Sequence, residues 1–283
     1  MNILTFDVED WYNCDFISEN FDWSNYEFRA DKGINRILDE LKKRNLKGTF
    51  FCLGWIAENH PEVVRAIHDG GHHLGCHSYQ HELSSRFDDK QFRADTLRAK
   101  HLIEDIIGEE VNAFRAPGFS ITHSNKWVLK SLVEIGFKYD CSMFPAKHDY
   151  GGMPTYGAGV PKRIDVGDGK IIKEFPISIH KVLGKNIVFS GGGFFRFFPY
   201  PLINYWAKSS DYMMTYFHPR DFDVDQPVVK NLPLKRRFKS YIGIGKAFDK
   251  FQKLLDNYEF SNVVEADKII DWQNAEKLSV DSL

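Results

Sequence analysis

Cysteine is scarce in this sequence: four residues in 283, Cys14, Cys52, Cys76 and Cys141, with no Cys-x-x-Cys pair among them. That argues against a cysteine zinc cluster and demands no disulfide framework, so reduced thiols in a cytoplasmic protein are the expectation. A basic excess is missing as well. Lys+Arg number 37 against 39 Asp+Glu, a formal charge of −2, so the electrostatic footprint of a nucleic-acid binder is absent and no nucleic-acid partner is expected. No run of about 18 apolar residues occurs, so no membrane-spanning helix is expected. The opening residues, MNILTFDVEDW, lack the basic start, apolar core and small-residue cleavage site of an export signal. The expected location is cytoplasmic, extending to the inner face of the membrane. No internal repeat or linker divides the chain.

What is present is an ordinary globular composition, 43% hydrophobic and 27% charged, with aromatics high at 15%. Residues 2–8 are a short apolar run ending in acids and read as a buried strand. A helix is expected from a cap at Asp31 to about Arg44, with Ile34, Ile37, Leu38 and Leu41 on one face. Strand and helix then alternate. Strands are expected at 47–53, 72–76, 111–115 and 138–140, and helices at 61–69, 89–107 and 125–135. Such alternation predicts a parallel sheet or barrel with outer helices, and the catalytic groups of barrels collect at the C-terminal strand ends. Residues 149–200 are rich in Gly, Pro and aromatics and predict long loops or hairpins. A late strand over 213–217, a basic amphipathic helical stretch over 235–257 and a final strand over 261–270 complete the pattern.

Several segments carry groups capable of chemistry. Asp7, Glu9 and Asp10 end the first strand, either as solvent-facing caps or as a site where one carboxylate binds a metal while another takes a proton. His77 and His81 are four residues apart. On a helical turn they would share a face and could hold one metal ion; a solvated pair is the alternative. Arg115-Ala-Pro117-Gly118 follows the fourth strand as a turn, and a buried Arg there needs a carboxylate, for which Asp7 is the obvious candidate. Asp140, Ser142 and His218 supply another acid, a hydroxyl and a late imidazole.

In this order, Thr5-Phe6-Asp7, His77-Ser78-x-x-His81, Arg115-x-Pro117, Asp140-x-Ser142 and His218 resemble the motifs of the polysaccharide deacetylase (NodB-homology) family, over about residues 3–220. The resemblance implies an α/β fold, a distorted (β/α) barrel with fewer than eight strands, over 1–225, with a C-terminal helical extension over 226–283. The extension, from Arg237 through Leu255, and the opening FDVEDW resemble a subgroup tied to bacterial exopolysaccharide and surface-glycan clusters.

The resemblance also implies a chemistry, removal of an N-acyl group from an amino-sugar-containing glycan. His77 and His81 would hold a divalent metal, zinc in most of the family, which polarises the amide carbonyl and its water. Asp7 would be the base, oriented by Arg115, and His218 the acid, paired with Asp140. Trp11, Pro117, Gly118 and Ser142 would line the substrate site. The family's adjacent acids, TFDDG, are here Thr5-Phe-Asp-Val-Glu-Asp10, so the third metal ligand is Glu9 or Asp10. Strand alternation favours Glu9, whereas a turn after residue 8 would bring in Asp10.

A hydrolase of cyclic amides or ureides, or a non-catalytic glycan-binding protein on the same fold, are the rival readings. The aromatic stretch Phe189–Trp206 reads as core packing more readily than as a sugar or lipid platform. The basic run Lys235–Lys239 reads as a solvated helix face, with contact to an anionic membrane as the alternative. The oligomeric state is left open.

Overall fold

The structure is a computed structural model that describes residues 1–13, 21–147, 149–229 and 232–283; Cys14 lies outside them. The first half alternates as the sequence predicts. Strands β1 (Asn2–Ile3) and β2 (Thr5–Val8) lead to helix α1 (Ala30–Lys43) and strand β3 (Thr49–Cys52). Helices α2 (Gly54–Asn59) and α3 (Pro61–Asp69) follow, then β4 (His73–Cys76), α4 (Asp89–Ile107), β5 (Ala113–Phe114), α5 (Trp127–Glu134) and β6 (Tyr139–Asp140). Between 149 and 200 two hairpins form, β7 (Lys162–Gly167) with β8 (Lys170–Glu174) and β9 (His180–Val182) with β10 (Lys185–Ile187). Helices α6 (Gly192–Phe197) and α7 (Tyr200–Lys208) precede β11 (Met213–Met214). Helices α8 (Leu234–Tyr241), α9 (Ala247–Asn257) and α10 (Val263–Ile269) and strand β12 (Lys277–Ser279) end the chain.

The main sheet runs β12-β7-β8-β6-β5-β4-β3-β2, with β2 to β6 all parallel. On the free side of β2 the chain after β11 takes over. Asp7 donates its N–H to the Phe217 carbonyl (2.8 Å), and β1 pairs with β11 in parallel. The remaining gap is closed by a single backbone bridge, in which Gly192 donates its N–H to the Tyr216 carbonyl (2.9 Å), and by side chains. Ser178 Oγ accepts the Met214 N–H (2.8 Å), and Ser190 Oγ donates to the Met214 carbonyl (2.6 Å). A barrel closed partly by hydroxyls in place of a backbone ladder is the distortion expected here. Among the described residues no helix is long and apolar enough to cross a membrane.

The C-terminal segment is built into this core. The Phe251 ring on α9 is fully buried among Phe6 (6.0 Å between centroids), Phe217 (5.2 Å), Phe222 (5.0 Å) and Phe248 (5.9 Å). β12 pairs with β7 at the sheet edge.

Four local expectations fail, each for a physical reason. The final strand over 261–270 is helix α10: Asn262 and Glu265 form a capping box that starts a helix, leaving only a single bridge from Ser261 to Ile3. The basic stretch over 235–257 is two helices, broken at Gly243, which adopts φ 70° and packs against the Arg196 carbonyl where a Cβ would not fit. Asp31 does not cap α1, because the Asp10 carboxylate accepts the N–H groups of Arg29 (2.5 Å) and Ala30 (2.8 Å) from a distant segment. His77 and His81 share no helix; the chain after β4 is an irregular loop. Cys52, Cys76 and Cys141 are free and buried.

Replacing Phe251 by Ala is expected to lower the unfolding free energy by about 3–5 kcal/mol. Urea titration of the variant checks this. A loss below 1 kcal/mol would show that the extension is not part of the core.

Candidate active site

The C-terminal ends of β2, β4 and β5, together with the segment after β11, meet at one end of the barrel. Arg115, just after β5, is fully buried. One of its terminal nitrogens donates to Asp7 Oδ1 (2.7 Å) and to Thr5 Oγ1 (2.8 Å), and its Nε donates to the Cys141 carbonyl (3.1 Å). The guanidinium also lies 4.3 Å from the Phe51 ring centroid. The second oxygen of Asp7 lies 3.8 Å from His218 Nε2.

Glu9 leaves β2 on the same side as Asp7, as a period of two requires. It meets His81 Nε2 at 2.6 Å. One ligand atom each from Glu9, His77 and His81 lies within 4.8 Å of the others, a spacing that one metal ion can bridge. His77 donates its Nδ1–H to the Arg115 carbonyl (2.7 Å), which fixes the tautomer and leaves Nε2 as a free donor atom.

The loop carrying His81 is held from below. The first N–H groups of α2 donate to the carbonyls of Ser78 (2.9 Å) and Tyr79 (2.8 Å), using orphan donors at a helix start. Ser78 (φ 66°) and His81 (φ 61°) both take left-handed conformations, strain that this tethering sustains.

The charge states suit a cation. Burial opposes ionisation of Glu9, but the His81 and His218 imidazoles overcome it and bring its carboxyl down to about 2. Burial lowers His77 to about 4 despite Asp7 nearby, so it is neutral at pH 7. An ionised carboxylate and a neutral imidazole with an oriented lone pair fit a divalent metal.

His218 is the third imidazole of the site. Its Nδ1 lies 3.1 Å from Asp221 Oδ2, and Asp221 pairs in turn with Arg196 Nε (2.8 Å). Arg196 lies on α6, 6% exposed, and its other nitrogens donate to the α8 carbonyls of Lys239 (3.0 Å) and Ser240 (2.8 Å) and to that of Ile242. Burial opposes charging of His218, but Glu9 and Asp221 raise it to about 9; Asp221, buried yet beside Arg196 and His218, falls to about 2. A cavity of about 210 Å³ opens over Glu9 and His218, walled by Tyr150, Gly192, Arg220 and Arg236.

Asp140 is not the partner of His218; Asp221 is. Asp140 is buried under the sheet, where it accepts from Ser142 Oγ (2.5 Å) and faces Glu174. Burial raises the carboxyls of both Asp140 and Glu174, and their mutual proximity raises Glu174 further, so the pair shares a proton. Ser142 is likewise spent inside, donating to Asp140 and accepting the Ala116 N–H (2.8 Å). Of the two acids left open, Glu9 joins the histidines, whereas Asp10 caps α1. Trp11, only 7% exposed, packs on Tyr12 and Tyr26 and donates its indole N–H to the Glu27 carbonyl (3.2 Å), away from the cleft. Pro117 is buried; Gly118, in a left-handed turn at φ 58°, lies under the Tyr150 ring at the cleft rim.

The sequence reading missed Asp221 and Arg196. Asp221 had a signal: it stands three residues after His218 in a Pro-started turn. So did Arg196, a lone cation inside an apolar run, which must be buried with a partner. Within the aromatic stretch Phe189, Phe195 and Trp206 are buried, while Phe197 and Tyr205 are exposed.

Residues 4–139 match the family model described as Polysaccharide deacetylase, and residues 141–268 match one described as a domain of unknown function, DUF3473. The two models meet near residue 140. A peptidoglycan deacetylase of Helicobacter pylori is 34% identical over 117 residues, 41% of this chain and 39% of its own length. A peptidoglycan-N-acetylglucosamine deacetylase of Bacillus cereus is 32% identical over 93 residues, 32% of this chain and 34% of its own. The chain thus spans well under half the length of these relatives. The fold is similar to that of a Mycobacterium smegmatis protein assigned as a polysaccharide deacetylase, with TM-score 0.65 and 20% identity over 98% of this chain and 91% of that one. It is the N-terminal part of the chain, residues 4–139, that carries the match to the polysaccharide deacetylase family.

Proposed function

We propose that the chain is a metal-dependent hydrolase that removes an N-acyl group, acetyl or formyl, from an amino sugar during bacterial surface-polysaccharide biosynthesis. The observation that carries this reading is the placement of Asp7 and His218, 3.8 Å apart, beside the Glu9–His77–His81 set, with Glu9 and His218 lining an open cavity. A divalent cation held by those three side chains, zinc on the chemistry of two imidazoles and a carboxylate, would supply Lewis acidity to the acyl carbonyl and to water.

The chain's own groups divide the proton work. Asp7 has one oxygen tied to Arg115 and the other open toward His218, so it can accept a proton from the attacking water. Its bond to Arg115 fixes the orientation of the free lone pairs. His218 presents Nε2 to the cleft because Asp221 holds Nδ1–H from behind, and it can deliver a proton to the leaving amine. The family relatives named above, which are deacetylases of amino-sugar polymers by name, support a glycan substrate.

Purified protein with zinc should release acetate or formate from an N-acylated amino-sugar glycan or glycan precursor, read by enzymatic detection of the free acid. His77→Ala should abolish it together with bound metal, and Asp7→Asn should lower kcat by about 10²–10⁴ with metal retained. Absence of acid release across a broad glycan panel, with metal bound, contradicts the proposal.

The corrected pairing has its own check. Asp221→Asn should lower kcat by about 10²-fold while KM changes little, since it withdraws the charge behind His218. Asp140→Asn should act on stability alone. With Glu174 raised well above its ordinary value, its favourable contribution is complete below about pH 4.5 and is lost as pH rises through its folded value. Asp140→Asn removes the neighbouring acid, so unfolding free energy measured by urea should fall less steeply as pH rises above about 4.5. A kcat loss in D140N equal to that in D221N would overturn the reassignment.

A further inference from the structure

Helix α8 is left over by this chemistry, and it is anomalous. Amphipathic helices of globular domains bury an apolar stripe, yet none of the eight residues of α8, LKRRFKSY, is buried. Leu234 is 84% exposed and Phe238 53% exposed, and at a spacing of four they share one face. Phe197 of α6, itself 52% exposed, stacks edge-on to Phe238 at 5.9 Å, which extends the apolar face onto the barrel body. Tyr241 at the helix end donates to the Pro227 carbonyl (3.1 Å) and accepts the Val229 N–H (2.9 Å), and Val228 between them is exposed.

Around these apolar tips stand Lys235, Arg236, Arg237 and Lys239, with no acid on the helix. From the neighbouring elements, Asp149 faces Lys235 and Lys239, and Arg196 sits beneath the helix end. The local balance is therefore strongly positive on a chain whose net charge is −2.

We propose that α8, with Phe197 and Val228, docks the protein on an anionic membrane surface. Charge complementarity selects an anionic occupant, and the apolar tips among the cations select a bilayer over a nucleic acid. Leucine and phenylalanine enter the headgroup–acyl boundary, while long cationic side chains extend to the lipid phosphates. The helix is already formed and clamped, its final carbonyls being held by Arg196, so docking requires no folding step. Arg236, Lys239 and Ser240 also wall the cavity over His218. Docking would set the mouth of the cleft at the bilayer surface, within reach of a glycan carried on a lipid.

The test is co-sedimentation of the full chain with vesicles, with no activity required. Phosphatidylcholine vesicles are compared with vesicles containing about one quarter phosphatidylglycerol at physiological salt. The expected result is at least tenfold stronger binding to the anionic vesicles, weakened by added salt. Leu234→Ser with Phe238→Ser, and separately Lys235→Glu with Arg237→Glu, should each reduce binding at least tenfold with an unchanged melting temperature. Equal partition of the wild type to both vesicle types, or undiminished binding by both double variants, overturns the proposal. So does self-association in sedimentation that the L234S/F238S variant abolishes without vesicle binding, which would make a second copy the occupant. Binding to a DNA duplex as tight as to the anionic vesicles would also overturn it.

Discussion

The buried ion pair between Arg115 and Asp7 is the constraint on which the rest of the site depends. An Arg with no solvent exposure is tolerated only when its donors are matched, and here they are matched by four partners from three strands. Thr5 and Asp7 come from β2, the Cys141 carbonyl from beyond β6, and Met214 Sδ from β11. The Arg115 carbonyl meanwhile orients His77. Removing one partner from such a pair typically costs about 3–5 kcal/mol, so the same contacts that aim the Asp7 carboxylate also hold together the end of a barrel whose ladder is incomplete.

A second chain of contacts runs inward from the C-terminal extension. The carbonyls at the end of α8 hold Arg196, Arg196 holds Asp221, and Asp221 holds His218. The extension therefore does more than cover the core through Phe251. It sets the orientation of the His218 imidazole, which lies 3.8 Å from the Asp7 oxygen that Arg115 leaves open. Both segments matched by separate family models line one cavity, the first through Glu9 and the second through Tyr150, Arg196 and His218.

Much of the first half was legible because its elements obey simple periods. The apolar stripe of α1 and the full length of α4, bounded by a capping box at Asp88 and a left-handed Gly108, are local properties of the chain. Asp7, His77, His81, Arg115 and His218 were legible as an ordered set. What was not legible is long-range. Asp10 is drawn away from the histidines because two N–H groups 19 and 20 residues on need an acceptor. Asp140 is drawn away from His218 by Glu174, a partner 34 positions later that no local spacing indicates. Residues 261–270 look like a strand by hydrophobicity, but the Asn262–Glu265 box decides for a helix. Trp11 stands where the family motif has a glycine, and its ring is absorbed by an aromatic cluster outside the cleft.

The central claim is that two strand-end carboxylates one residue apart have separate tasks, Glu9 toward a metal and Asp10 toward a helix. The most direct measurement is zinc stoichiometry and affinity, by elemental analysis and calorimetric titration, for Glu9→Gln and Asp10→Asn. The account predicts that Glu9→Gln loses tight zinc binding while folded, and that Asp10→Asn keeps one zinc per chain but melts at a lower temperature. Loss of zinc in Asp10→Asn with retention in Glu9→Gln would contradict it.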